Sequence, residues 1–198
     1  MRYPEFCSVG EHTYHGPDLV LHRWGAETIS IGAFCSISQG VKIMAGGNHR
    51  TDCVSTFPFD TMLTRTANHP TNDRSYDAKN GDIVIGNDVW IGYGASIMGS
   101  CTIGHGAVIA ANATVFTDVP DYAIVAGNPA KVVRMRYSPE EIERLLRIAW
   151  WNWPEEKIRE RVDDFYLPIN EFITKGNMYS WVDATPDDIA RKAGLVHA

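Results

Sequence analysis

A six-residue period runs through most of the first 120 positions, and few folds accommodate one. Ile31, Ile37 and Ile43 are six apart, and after a gap Ile85, Ile91, Ile97, Ile103, Ile109 and Val115 resume the phase. Two residues before these positions lies a second, mostly small series: Ile29, Cys35, Val41, Val89, Ala95, Cys101, Ala107 and Ala113. Gly32, Gly86, Gly92 and Gly104 directly follow their aliphatic residues. A helix repeats apolar positions every three or four residues and a half-buried strand every two, so neither alone explains a sustained six. Short strands joined by tight corners do, with one aliphatic side chain pointing inward per flat face and glycine where a corner needs positive φ or close backbone approach. Three such faces close a coil of about 18 residues, and parallel pairing stacks coils about 4.8 Å apart into a triangular prism.

The period breaks in three places. Residues 1–28 are less regular, with strands expected at Val9-Gly10 and Leu19 to Leu21 and a turn at Tyr14-His15-Gly16-Pro17, as in a ragged coil capping the prism end. Residues 50–81 carry Pro58, Pro70, Asn72, Asp73, Asn80 and Gly81 and form an excursion long enough to imply a role. Beyond Pro120 the prism ends, and Ser138-Pro139-Glu140-Glu141 opens a helix with a capping box and proline at its first position. Ile142, Leu145, Leu146 and Ala149 then make one apolar stripe. Trp150-Trp151-Asn152-Trp153-Pro154 interrupts that helix, a second begins at Pro154, and Leu167-Pro168 and Thr185-Pro186 start two more. The expected organisation is a β domain over residues 1–134, with an inserted loop at 50–81, and a helical extension over 135–198.

Composition narrows the partners. A formal net charge of -6 without a block of like charges excludes a sequence-independent nucleic-acid binder, because neutralising phosphates needs a basic surface. No apolar run approaches a membrane span and the N-terminus does not read as a signal peptide, so a cytoplasmic location is expected. Cys7, Cys35, Cys53 and Cys101 lack paired ligand spacing and are expected as reduced thiols.

The repeats resemble the left-handed parallel β-helix of the hexapeptide acyltransferases; Ile85-Gly86-Asn87-Asp88-Val89-Trp90 and Ile103-Gly104-His105-Gly106-Ala107-Val108 follow that family's pattern. The left hand is implied by the resemblance, since parallel crossovers in general favour the right. Four further stretches are similar to the xenobiotic acetyltransferases, the branch with the type B chloramphenicol and streptogramin enzymes. These are Gly46-Gly47-Asn48-His49-Arg50 with Ser55-Thr56-Phe57-Pro58-Phe59, then Asn87-Asp88-Val89-Trp90-Ile91-Gly92, Gly127-Asn128-Pro129-Ala130 and Ala149-Trp150-Trp151-Asn152-Trp153-Pro154. Four ordered signatures specify a branch, where the repeat alone would specify only a fold.

The resemblance implies direct acetyl transfer from acetyl-CoA to a hydroxyl of a small molecule, with His49 as general base and backbone amides stabilising the oxyanion. Imidazole suits the task because it titrates nearest neutrality. Counting six beyond Ile43 also lands on His49, as though it took the slot of the next inward aliphatic residue. A backbone carbonyl or Trp90 is the implied neighbour of the ring, ahead of Asp52, Asp60, Asp77 or Asp82. For the donor, amides near Ala110 and Ala111 are expected to face the pantetheine arm, and Lys131 and Arg134 the phosphates. Related members often carry lysine at the place of Thr117, so the contact there differs. Tyr14, Phe57 and Phe59 are the expected acceptor contacts, Pro58 stiffening the loop between the two phenylalanines.

A homotrimer is implied, with active sites between neighbouring prisms. The alternatives are a sugar O- or N-acetyltransferase of polysaccharide assembly and a non-catalytic trimeric scaffold. The fold class also includes zinc carbonic anhydrases, but His49, His69 and His105 lack the convergent spacing, and no metal is expected.

Overall fold

The computed structural model describes residues 3–49, 51–57, 59, 62 and 81–177. The chain divides into two compact units, Met1–Arg136 and Tyr137–Ala198.

The first unit is built from four successive sets of three short strands. They are β1 (Cys7–Val9), β2 (Tyr14–His15) and β3 (Val20–Arg23); β4 (Ile29–Ile31), β5 (Ser36–Ile37) and β6 (Lys42–Ala45); β7 (Ile83–Ile85), β8 (Trp90–Ile91) and β9 (Ser96–Met98); and β10 (Cys101–Ile103), β11 (Val108–Ile109) and β12 (Thr114–Val115). Each set is one coil and gives one strand to each of three parallel sheets, called faces A, B and C, in the orders β1-β4-β7-β10, β2-β5-β8-β11 and β3-β6-β9-β12. Ile83 pairs with Cys101, Trp90 with Val108 and Ser96 with Thr114, so a regular coil takes 18 residues, as the period predicts. Face B continues past the last coil into β13 (Ala123–Ala126) and an antiparallel edge strand, β14 (Lys131–Met135).

Both residue series point inward: Ile31, Ile37, Ile43, Ile85, Ile91, Ile97, Ile103, Ile109 and Val115 are buried together with Cys35, Val41, Val89, Ala95, Cys101, Ala107 and Ala113. At about 1.5–3 kcal/mol per buried aliphatic side chain, this column is the main source of the prism's stability. The glycines after the aliphatic residues serve close approach. A Cβ on Gly32 would lie 2.5 Å from the Gly86 carbonyl oxygen, and one on Gly104 would lie 2.4 Å from the Asp121 nitrogen. Positive φ falls on other corner residues, among them a column at the A/B corner comprising His12, Phe34, Asp88, Gly106 and Tyr122 and another at the B/C corner comprising Gly40, Gly94 and Asn112. The His12 and Phe34 rings stack at 4.8 Å.

The N-terminal segment forms a full coil, paired on all three faces. Tyr14 and His15 are a strand against Ser36 and Ile37, and the expected turn begins only at Gly16. Cys7 pairs with Ile29, 22 residues on, so this coil is four longer than the regular 18. The excess lies at the C/A corner: nine positions separate Val20 from Ile29, against five from Ser96 to Cys101. The long excursion leaves from the same corner one coil later, between Ala45 and Ile83. Cys7, Cys35 and Cys101 are buried free thiols and Cys53 is an exposed one.

In the second unit α1 (Pro139–Ile148) starts as expected: the Ser138 side chain accepts from the Glu141 amide, Glu141 reciprocates, and Pro139 is the first helical residue. It ends at Ala149 in the left-handed conformation, followed by a 3-10 turn at Trp150–Asn152, α2 (Glu155–Glu160), a second 3-10 turn at Val162–Tyr166 and α3 (Ile169–Asn177). Trp151, Trp153, Phe172 and Ile173 are buried, and Trp153 stacks on Phe172 at 6.3 Å. The tryptophan-rich signature is therefore the core of this unit. The helix expected at Thr185-Pro186 lies outside the described residues.

Candidate functional site

The C/A corner carries the first group of candidate residues. Gly46 and Gly47 turn the chain out of β6 with φ of 71° and 82°. Asn48 follows, its side-chain nitrogen 3.8 Å from the place a Cβ on Gly99 would take, and Gly99 belongs to this corner of the next coil. His49 is then exposed. It does not take an inward slot: Ile85 pairs with Ile31 and fills the position due after Ile43, so the core gives up nothing. The period leads to His49 in sequence, and the excursion carries it outside in space.

The Nδ1 of His49 lies 2.7 Å from the carbonyl oxygen of Thr56. A carbonyl only accepts, so Nδ1 carries the hydrogen, and in the neutral ring the lone pair then falls on Nε2. This is the tautomer a base needs at Nε2. Of the alternatives left open by the sequence, a backbone carbonyl is the one that meets Nδ1. Asp82 is engaged elsewhere, its carboxylate accepting from the Thr28 amide at 2.7 Å. Asp60 and Asp77 lie outside the described residues. No side-chain pattern could have pointed to Thr56, because any residue supplies a carbonyl.

Thr56 leads directly into Phe57 and Phe59, whose rings meet edge to face at 4.9 Å and remain about half exposed. Their segment turns tightly, with the Phe57 amide donating to Ser55 Oγ and the Phe59 amide to the Phe57 carbonyl. An imidazole and an apolar aromatic pair thus share one short stretch of chain. Pro58 lies outside the described residues.

Tyr14 and Trp90 belong to another side. Both point outward from face B, 66% and 57% exposed, and the cross-strand pairs Tyr14–Ser36 and Ser36–Trp90 put them in one row. In a three-sided prism face B lies opposite the C/A corner. A single chain therefore separates Tyr14 and Trp90 from His49, Phe57 and Phe59.

The candidate donor contacts gather toward the last coil. Ala110 and Ala111 form its B/C corner, but the Ala110 amide already donates to the Val125 carbonyl at 2.9 Å, which removes it as an amide for a ligand. Ala111 is exposed, as is Thr117 beyond β12. Lys131 and Arg134 lie on β14, after the hairpin turn Gly127-Asn128-Pro129-Ala130 with its cis Asn128–Pro129 bond. Lys131 pairs with Ala126 and Arg134 with Ile124, and a register shift between Ile124 and Val125 absorbs one extra residue. Ala126 and Ile124 are two apart on β13 and share its outward side. The bulge thus brings two cations three apart in sequence to the same side of the ribbon.

Other singled-out residues are structural. His105 Nδ1 accepts from the Asn87 amide at 2.9 Å within the A/B corner, and burial holds its pKa below the ordinary histidine value. His15 occupies the inward position paired with Ile37. Among the described residues no group of three metal-ligating side chains converges, and no helix is long and apolar enough to cross a membrane.

Comparison with known proteins gives a consistent picture. The bacterial transferase hexapeptide (six repeats) family matches residues 82–117. A chloramphenicol acetyltransferase of Escherichia coli is 48% identical over 158 residues, covering 74% of this chain and 73% of the relative. A probable macrolide acetyltransferase of Lysinibacillus sphaericus is 46% identical over 138 residues, covering 69% and 76%. Among solved structures, a hexapeptide-repeat acetyltransferase of Vibrio cholerae in complex with acetyl coenzyme A superposes with a TM-score of 0.50 at 27% identity, over 68% of this chain and 62% of that one. The match thus spans under two thirds of that structure's length.

Proposed function

The chain belongs to the hexapeptide-repeat acyltransferases, in the branch of the chloramphenicol acetyltransferases, and from that premise we propose that it transfers an acetyl group from acetyl-CoA to a hydroxyl of an antibiotic-like small molecule. The prism winds with the left hand of its family. His49 is the general base.

The observation that carries this reading is the His49–Thr56 contact, which fixes the ring and puts its lone pair on Nε2 at an exposed corner. There Nε2 takes the acceptor's hydroxyl proton as that oxygen bonds to the acetyl carbon. The carbon–sulfur bond breaks, and the imidazolium returns the proton to the departing thiolate, so charge and protons balance without a covalent acetyl-enzyme. Lys131 and Arg134 hold the donor's phosphates, and exposed Ala111 and Thr117 flank the path of its extended arm. Phe57 and Phe59 offer the acceptor an apolar surface, which favours an antibiotic over a sugar.

Tyr14 and Trp90 join the site from a neighbouring copy. A homotrimer with face B of one prism against the C/A corner of the next brings them to His49, and their exposure on face B supports that arrangement. The test is thiol release from acetyl-CoA against a panel of antibiotics and sugars. Turnover of a chloramphenicol-like hydroxyl, lost on His49→Ala, is expected; turnover of sugars alone would assign the enzyme to polysaccharide acetylation, and failure to bind CoA would favour a scaffold.

A further inference from the structure

The first coil's extra residues lie directly beneath the exit of the excursion that carries His49. Arg23 pairs with Ala45, and the Trp24 amide donates to the Ala45 carbonyl at 3.3 Å, so the insertion starts level with the last residue before Gly46. Each glycine of the exit turn then rests on one insertion side chain. A Cβ on Gly46 would lie 2.9 Å from Glu27 Oε1, and one on Gly47 would lie 2.6 Å from the Trp24 ring. The insertion's far end is tied to the returning chain, through the Thr28 amide and Asp82. Both the exit and the return of the excursion are thus held by Trp24–Thr28.

Glu27 is the unusual member of this segment. Among the described residues it is the charged one in the buried class, at 8% exposure. Its Oε2 accepts from the Gly25 amide at 2.8 Å, and the Arg23 guanidinium donates to its carbonyl oxygen at 3.3 Å. Burying a carboxylate is costly, and a four-residue extension of a corner needs no acid for its own sake. What the carboxylate does gain is a fixed surface against Gly46, three residues before His49.

We propose that Glu27 is a positioning residue for the reaction, setting through Gly46 the direction in which the chain leaves the prism and therefore the place of His49. The inference rests on His49 being the base. Geometry is the route: a displacement of about 1 Å at a reacting group can lower a rate by two orders of magnitude. The carboxylate acts as a shaped acceptor, so glutamine, which keeps an oxygen for the Gly25 amide, substitutes for it.

Steady-state kinetics with acetyl-CoA and an accepted antibiotic test this, using Glu27→Ala, Glu27→Gln, Gly46→Ala, His49→Ala and the double variant E27A/H49A. Glu27→Ala is expected to lower kcat roughly ten- to a hundredfold with little change in KM for acetyl-CoA, and Glu27→Gln to recover most of the loss. Gly46→Ala, which drives a methyl against the carboxylate, should lower kcat in the same way even if Glu27→Ala fails to fold. The double variant should be no slower than His49→Ala alone, because a residue acting only through His49 has nothing left to position. Wild-type kcat in Glu27→Ala, or a further loss in the double variant, overturns the inference while leaving His49 as base. Wild-type turnover in His49→Ala overturns both.

Discussion

His49 donates its Nδ1–H at 2.7 Å to the carbonyl oxygen of Thr56, seven positions on, which leads straight into Phe57 and Phe59. The imidazole and the apolar surface are thereby held on one short stretch of chain, as the proposed role of His49 as base requires. His49→Ala should reduce turnover by roughly a hundredfold or more while CoA affinity measured by calorimetry stays near the wild-type value. A loss of CoA binding of the same size would mean that the residue holds the donor and not the proton.

The bulge opposite Ile124 argues for a joint role of Lys131 and Arg134, since it brings both cations to one side of β14. Among the described residues the Arg134 guanidinium donates to the Met135 carbonyl within its own strand, at 3.2 Å. Replacing both by alanine should raise KM for acetyl-CoA about tenfold with little change in kcat, and raising the salt concentration should shrink the difference, because exposed charge–phosphate contacts are screened. An equal effect on acetyl-CoA and on a donor lacking the nucleotide phosphates would refute the assignment.

How far the sequence reaches is visible in the same residues. The period gave the register of the three later coils, because one inward aliphatic side chain per face is a demand that every coil repeats. It went wrong at His49, where counting implied a core slot that Ile85 fills after the excursion returns. It missed the strand at Tyr14–His15, whose inward residue is a histidine at the prism end, where burial is incomplete and the demand for an aliphatic is weak. Thr56 was illegible because it acts through its carbonyl. Glu27 was illegible because its significance lies in the corner on which it stacks. Trp90 is exposed on face B, away from the same chain's C/A corner, a separation that appears only once the period is wound into three faces and that sequence order alone does not display.

Gly106 makes the A/B corner unforgiving. Its φ is 64°, and a Cβ there would lie 2.4 Å from the Tyr122 ring, itself buried beneath the Arg136 guanidinium. Gly106→Ala combines left-handed strain with overpacking and should cost about 2–4 kcal/mol in urea unfolding. Gly127→Ala shares the positive φ, 97°, but its nearest neighbour would be 3.4 Å away, so the smaller cost expected there, about 1 kcal/mol, separates strain from clash.

Asp88, one coil below Gly106 in that column, sets a pH dependence. Burial pushes its carboxyl up to about 6, against the opposing pull of Arg136, whose guanidinium lies 3.5 Å away and also donates to the Gly106 carbonyl at 2.6 Å. Between the ordinary carboxylate range and about pH 6 the folded protein therefore binds more protons than the unfolded chain, so this group's contribution falls as pH rises through that window. His105 works in the opposite sense: its pKa is held below the ordinary histidine value, so its contribution is lost as pH falls beneath that value. The difference between wild type and Asp88→Asn removes the shared histidine term. The value of about 6 already includes the pull of Arg136, so that difference should grow in favour of the asparagine by on the order of 2 kcal/mol as pH rises from 4 to 7. Urea midpoints at a series of pH values measure it, and a difference that stays flat across the window would show that Asp88 titrates as an ordinary surface acid.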